Sequence, residues 1–273
     1  MQSRFFESNG IRLHYLDVGV GDSIVFLHGF AHDASRWVRN GAVDLFASRY
    51  RVLALDCRGH GESDKPDDPA QYASMELDVL RMLDDALVGR AHVVGYSMGG
   101  NLLGRLLVRH RERLLSATLI GATGLASHAR DGERARMADA FERGDASTLV
   151  MAVRPTNEPP LDATQLQDAS AKILSGNDPL ALAALLRAPI MPISTEDLAA
   201  AARTVPMLGI AGTADPAVTA LMSLAAAIPG FDVVAIADAG HASTFNRPEL
   251  LDAIERFIGG PEHASRPAQL EIE

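Results

Sequence analysis

The sequence predicts an α/β fold, with a mostly parallel eight-stranded sheet, helices on both faces and a helical cap insertion. Three observations lead there. Short β-rich runs alternate with longer helical stretches, the rhythm of a sheet whose strands are joined by crossover helices. Several of those runs are uninterrupted Val, Ile and Leu, as strands covered on both faces require. The alternation stops between about Ala122 and Thr204, where helical patterns continue without a convincing strand.

The strand candidates are Arg12 to Val18, Ser23 to His28, Arg51 to Asp56, His92 to Tyr96, Ser116 to Ile120, Pro206 to Ala211 and Phe231 to Ile236. Helices are expected near Ala34 to Ala47, Gln71 to Leu87, Met98 to Arg109, Ala217 to Ala227 and Pro248 to Phe257, the last with its proline in the first turn. Within the insertion, Asp162, Asn177 and Thr195 stand as helix N-caps, Pro179 suits a first helical position, and Gly176 closes a helix. Residues 1–121 and 205–258 then form the core and 122–204 a cap of four or five short helices. Residues 259–273 are rich in Pro, Gly and charge without periodicity, and are expected to form a flexible tail.

A chain of 273 residues is long enough for one sizeable core. Its 47% hydrophobic and 22% charged residues match a soluble globular protein. The net charge of −10, with no block of Lys or Arg, leaves nothing to neutralise a phosphate backbone, so nucleic acid is excluded as a partner. The lone Cys57 forbids an internal disulfide. No run at the N-terminus has the length of a signal peptide and none elsewhere suits a membrane span, so a cytoplasmic protein is expected.

The chemistry concentrates in a few glycine-marked turns. Gly95-Tyr96-Ser97-Met98-Gly99 follows the β-run His92-Val-Val and opens the helical run from Asn101, the pattern of a nucleophile elbow. A strand that turns sharply into a helix strains the backbone at the serine and leaves no room for Cβ atoms two residues to either side. The turn also sets the Ser97 hydroxyl at a helix N-terminus, where N–H groups and the macrodipole favour negative charge. A glycine-rich turn whose serine merely caps the next helix would carry the same letters, so the other motifs decide. His28-Gly29-Phe30 follows the apolar strand from Ile24, in the position of a loop that supplies an oxyanion-hole N–H. The two donors are assigned to Phe30 and Met98, which are also expected to face the substrate, with His28 bracing the loop. His28 and His32 stand four apart without the intervening Glu of a helical zinc motif, and neither nucleotide-binding glycine motif occurs. No metal and no cofactor are therefore expected.

His28-Gly29, Asp56-Cys-Arg-Gly-His-Gly-Glu-Ser63 and Gly95-Tyr-Ser-Met-Gly-Gly100, in this order, resemble the α/β-hydrolase superfamily, and the likeness runs over most of the chain. The resemblance makes Asp56, Arg58 and Ser63 structural, Trp37 a packing residue, and residues 122–204 a lid. It implies an acid after the penultimate strand and a histidine after the last. Asp215, in Gly212-Thr-Ala-Asp-Pro, and His241, in Ala239-Gly-His, occupy those places, giving a Ser97, Asp215, His241 triad. Asp232 opens a strand, and Asp238 lies too near His241 to reach its far ring nitrogen easily. The loop after Ile120 offers no carboxylate before Asp131. The histidines His14, His32, His60, His92, His110, His128 and His263 read as packing or surface residues.

A serine at the elbow implies an acyl-enzyme that water can hydrolyse, unlike the carboxylate nucleophile of dehalogenase-type and epoxide-hydrolase-type relatives. The expected activity is that of a carboxylic ester hydrolase on a small-molecule ester or lactone. Enol-lactonases, cofactor-free perhydrolases and carbon-carbon hydrolases share the Ser-Met-Gly-Gly and Gly-Thr-x-Asp-Pro patterns. Tyr96, where carbon-carbon hydrolases commonly carry Asn, weighs against the last of these. A small-molecule receptor with little turnover is the alternative of another class.

Overall fold

A computed structural model describes residues 1–155, 157–189 and 191–260. In chain order its elements are β1 (Gln2–Ser8), β2 (Ile11–Val18), β3 (Ser23–Leu27), α1 (Ser35–Arg39), α2 (Ala42–Ala47), β4 (Arg51–Asp56), α3 (Glu76–Asp85), β5 (Ala91–Tyr96), α4 (Met98–Arg109) and β6 (Leu114–Ile120). The helices α5 (Asp131–Glu142), α6 (Ser147–Ala152), α7 (Ala163–Leu174), α8 (Pro179–Arg187) and α9 (Thr195–Ala202) follow. The chain then returns to β7 (Met207–Gly212), α10 (Val218–Ala227), β8 (Phe231–Ile236), α11 (His241–Thr244) and α12 (Pro248–Ile258).

The eight strands form one sheet in the order β1-β2-β4-β3-β5-β6-β7-β8. β2 runs antiparallel to both of its neighbours, and β3 through β8 are mutually parallel. β3 and β5 are buried along their whole length, which explains their uninterrupted apolar sequence. One apolar layer packs α3, α4, α9 and α10 through residues such as Met82, Leu103, Leu198 and Leu221. The other packs α1, α2 and α12 through Trp37, Phe46 and Ile254, so both faces are covered. Trp37 is fully buried, its ring centroid 4.6 Å from both Phe26 and Phe245.

β1 is the strand that apolar runs do not reveal. It lies at the sheet edge with only Phe6 and Ser8 buried, so it lacks the burial that writes a strand into a sequence. Its one legible mark is the turn Asn9-Gly10, whose φ values of 51° and 76° suit a two-residue hairpin. The helix expected over Ala34 to Ala47 is broken at Asn40-Gly41. There Asn40 Oδ1 accepts the Ala42 N–H at 3.1 Å and its Nδ2 donates to the Phe245 carbonyl at 3.2 Å. The helix expected from Gln71 begins at Glu76, after a separate 3₁₀ turn over Pro69–Tyr72.

Between β6 and β7 the described residues hold five α-helices and no strand. Asp162 caps α7 in a capping box with Gln165, and Gly176 follows the Ser175 that ends it. Two caps fall one residue from expectation. Asp178, not Asn177, accepts the N–H groups of Leu180 and Ala181 at the start of α8, with Pro179 at its first position. Ser194, not Thr195, forms a capping box with Asp197. In each case the true cap stands next to the first helical residue, where its oxygen reaches the second or third N–H group: Asp178 takes both and Ser194 takes that of Asp197. The Asn177 amide instead donates to the carbonyls of Ile173 and Ala31. Among the described residues no helix is long and apolar enough to cross a membrane. The tail from 261, with His263, lies outside the described residues.

Candidate active site

The turn from β5 into α4 bends at Ser97, whose φ of 53° and ψ of −110° are strained for a residue with a side chain. Glycine is required on either side of it. A Cβ at Gly95 would lie 2.4 Å from the Gly99 carbonyl oxygen, and one at Gly99 would lie 2.4 Å from the Leu27 carbonyl oxygen. The Ser97 N–H is held by the Ile120 carbonyl at 2.8 Å, which ties the elbow to the end of β6.

β7 and β8 bring the other two groups to the same edge. Asp215 follows β7 and is 2% exposed, and His241 follows β8 as the first residue of α11. His241 Nδ1–H donates to Asp215 Oδ2 at 2.9 Å, and the Ser97 hydroxyl donates to His241 Nε2 at 3.0 Å. A carboxylate only accepts, so this pairing fixes the neutral tautomer that leaves Nε2 a lone pair. The second carboxylate oxygen accepts the Ala217 N–H at 2.8 Å. Asp232 and Asp238 are exposed, and the Asp238 backbone N–H is engaged by Thr213 Oγ1.

Two further residues shape this cluster and were not singled out from sequence for doing so. The Tyr96 ring stacks on the His241 ring at 5.2 Å and 29°, and its hydroxyl donates to the His241 carbonyl at 3.1 Å. Gly121, after β6, adopts a φ of 58°. A Cβ there would meet His241 Cε1 at 2.8 Å and Asp215 Oδ2 at 3.1 Å, so the loop without a carboxylate is instead a loop that must lack a side chain.

The loop after β3 is tied down at successive peptides. The Gly29 carbonyl accepts His28 Nδ1–H at 2.8 Å and the His32 N–H at 3.2 Å, and the Ala31 N–H donates to His60 Nε2 at 3.1 Å. None of these bonds uses the Phe30 N–H. His28 Nε2 in turn accepts the Cys57 N–H at 2.9 Å, so His28 braces the loop as its position suggests. Asp56 is also structural: it accepts the Ala34 and Glu62 N–H groups and the His14 ring nitrogen. Burial pushes its carboxyl up, and these hydrogen bonds outweigh that to hold it below its usual range. Arg58 pairs with buried Asp78, and the Ser63 hydroxyl donates to the Asp56 carbonyl at 2.6 Å.

The buried imidazoles make stability depend on acid. Burial pushes His60 from 6.5 down to about 3, and burial together with the Arg36 cation pushes His32 down to about 3. Burial lowers His28 as well. Between these values the unfolded chain binds protons that the folded chain refuses, so stability is full above 6.5 and falls as pH falls through that window. The melting temperature is expected to drop from about pH 7 to about pH 4, and to drop less steeply in His60→Gln. Equal slopes in the two proteins would remove His60 from this account.

A sequence model of the alpha/beta hydrolase family matches residues 24–254. The chain is 37% identical over 115 residues to a 2-hydroxy-6-oxononadienedioate/2-hydroxy-6-oxononatrienedioate hydrolase of Burkholderia vietnamiensis, an alignment covering 41% of this chain and 40% of that protein. It spans about two fifths of the length of the curated relatives it matches first. Among solved structures it is similar to an enol-lactonase from Burkholderia xenovorans, with 27% identity and a TM-score of 0.74 over 94% of this chain and all of that one. It is also similar to a thermophilic esterase from Thermogutta terrifontis, with 26% identity and a TM-score of 0.76 over 97% of this chain and all of that one. The family match takes in the parallel strands and the glycine-marked turns that carry the site, and the chain belongs to the alpha/beta hydrolase family.

Proposed function

We propose that this hydrolase cleaves a carboxylic ester through an acyl-enzyme formed on Ser97. The observation that carries the reading is the unbroken relay from the Ser97 hydroxyl through His241 to Asp215, at 3.0 and 2.9 Å. Ser97 Oγ attacks the ester carbonyl while its proton passes to His241 Nε2, and Asp215 stabilises the imidazolium. The N–H groups of Phe30 and Met98 receive the negative oxygen of the tetrahedral intermediate. Collapse breaks the bond to the alcohol, which leaves with the proton from His241. Water then adds to the acyl-enzyme, giving its proton to the same imidazole; collapse of this second intermediate breaks the bond to Ser97 Oγ, which takes the proton back from His241, and the acid departs.

Residues 122–204 serve as a lid over this site in the same reading, with 1–121 and 205–258 as the catalytic core. Phe141 of α5 packs its ring against Phe30 at 5.6 Å, and Met137, Leu149, Leu182 and Ile173 share that apolar cluster. Walls of this kind suit an uncharged acyl chain of moderate length. The enol-lactonase likeness supports lactone hydrolysis as a second reading, since a lactone is an internal ester and opens by the same acyl chemistry.

A panel of p-nitrophenyl acetate, butyrate and octanoate, an enol lactone and a vinylogous diketone tests these readings together. Turnover is expected on the esters, best at butyrate or octanoate. Preferred cleavage of the lactone would move the assignment to the second reading, and preferred cleavage of the diketone to carbon-carbon hydrolysis. No turnover of any of them would favour a receptor.

A further inference from the structure

The oxyanion loop is held from the insertion as well as from the core. Ala31 adopts a φ of 58°, a left-handed conformation that residues with a side chain rarely adopt. Its N–H is taken by His60, from the loop after β4, but its carbonyl is taken by Asn177 Nδ2 at 3.1 Å, from the connection between α7 and α8. The same amide nitrogen donates to the Ile173 carbonyl at 2.8 Å, so Asn177 joins the end of α7 to the loop. Leu182 and Ala183 of α8 and Phe141 of α5 pack with buried Ala31 in one apolar cluster, to which Phe30 is added. The peptides on both sides of Phe30 are thus fixed by side-chain hydrogen bonds, and the next one along is fixed by the insertion.

We propose that Asn177 is a positioning residue for the oxyanion hole. Its amide fixes the Ala31 carbonyl, two peptides beyond the one that carries the Phe30 N–H. By holding the left-handed Ala31 turn it supports the aim that His28 and His60 set from the core, so transition-state stabilisation depends in part on how the insertion is seated. The inference rests on the ester-hydrolase reading above. It separates two functions of the insertion, since the apolar walls set which acyl group binds and Asn177 sets how well the bound ester reacts. A donor that tilts away from the developing oxyanion loses interaction with the transition state while the neutral ground-state carbonyl loses little.

The test uses the full chain with Asn177→Asp and Asn177→Ala. Aspartate keeps the shape and turns both donated hydrogen bonds into oxygen facing oxygen, whereas alanine only deletes them. Two probes are read: kcat and KM for p-nitrophenyl butyrate, and the inhibition constant of an alkyl trifluoromethyl ketone. Addition of Ser97 Oγ to the ketone carbonyl, with the proton passing to His241, places a tetrahedral oxyanion in the hole. In both variants kcat and ketone affinity are expected to fall together by about tenfold, less than the roughly 10² to 10³ lost when a donor is removed outright. KM is expected to hold, and the aspartate variant to be the worse of the two.

A rise in KM or a fall in melting temperature, with the ratio of ketone to substrate affinity unchanged, would make Asn177 a packing residue and overturn the inference. Unchanged kinetics in both variants would overturn it too. If the wild-type protein neither hydrolyses the ester nor reacts with the ketone, the ester-hydrolase reading itself falls, which is a different outcome from activity that persists unaltered in the variants.

Discussion

Ser97→Ala is expected to lower kcat for p-nitrophenyl butyrate by about 10⁴-fold or more, while the melting temperature moves little. The hydroxyl is half-buried, and its hydrogen bond in the site runs to His241 Nε2. Alanine at the same φ of 53° carries the same backbone strain, so folding neither gains nor loses much. In the proposed mechanism the variant loses the nucleophile, and with it the acyl-enzyme. A small residual rate is expected, because the proposed oxyanion donors at Phe30 and Met98 do not depend on Ser97. Wild-type rates in this variant would reject the assignment of Ser97, and with it the relay.

The parts of the site that were legible in sequence are those written locally. Gly95 and Gly99 are demanded by backbone atoms within the elbow or in the adjoining β3 end, so the turn leaves its own spelling in the chain. Asp215 and His241 are marked by the family resemblance, which implies an acid after the penultimate strand and a histidine after the last, and the strand ends before Gly212-Thr-Ala and Ala239-Gly show where those places fall. Asn177 and His60 are different in kind. They meet Ala31 across 146 and 29 positions, and nothing in the letters beside them records the partner. Asn177 resembles a helix cap in sequence because it precedes Asp178-Pro179, and only the packing of the insertion on the loop gives its amide another use. Gly121 was equally silent, since its lack of a side chain matters only because His241 and Asp215 arrive there from two later loops. Burial explains the rest. β3 and β5 announce themselves as fully buried strands, whereas β1, exposed at the edge, left little beyond its Asn9-Gly10 turn.

The second large effect is expected from Asp215→Asn, and it follows from the two hydrogen bonds that this carboxylate accepts. One oxygen takes the Ala217 N–H at 2.8 Å and the other takes His241 Nδ1–H at 2.9 Å. An amide has a single acceptor oxygen, and the Ala217 N–H is fixed by the backbone and cannot turn away. The substituted side chain would therefore keep its oxygen on Ala217 and present its NH₂ to the imidazole. His241 Nδ1 must then accept, which moves the ring proton to Nε2 and aims it at Ser97 Oγ, so the imidazole can no longer take the serine proton. Turning the amide over instead would set two donors against each other at a site that is 2% exposed. Either way kcat is expected to fall by roughly 10⁴-fold with KM much less affected. Asp232→Asn and Asp238→Asn are the controls. Both carboxylates are exposed, and neither is among the groups bonded to His241, so their variants are expected to turn over at the wild-type rate. Near-normal turnover in Asp215→Asn, with loss of activity in Asp238→Asn, would transfer the acid of the relay to Asp238 and require the loop after β8 to rearrange around His241.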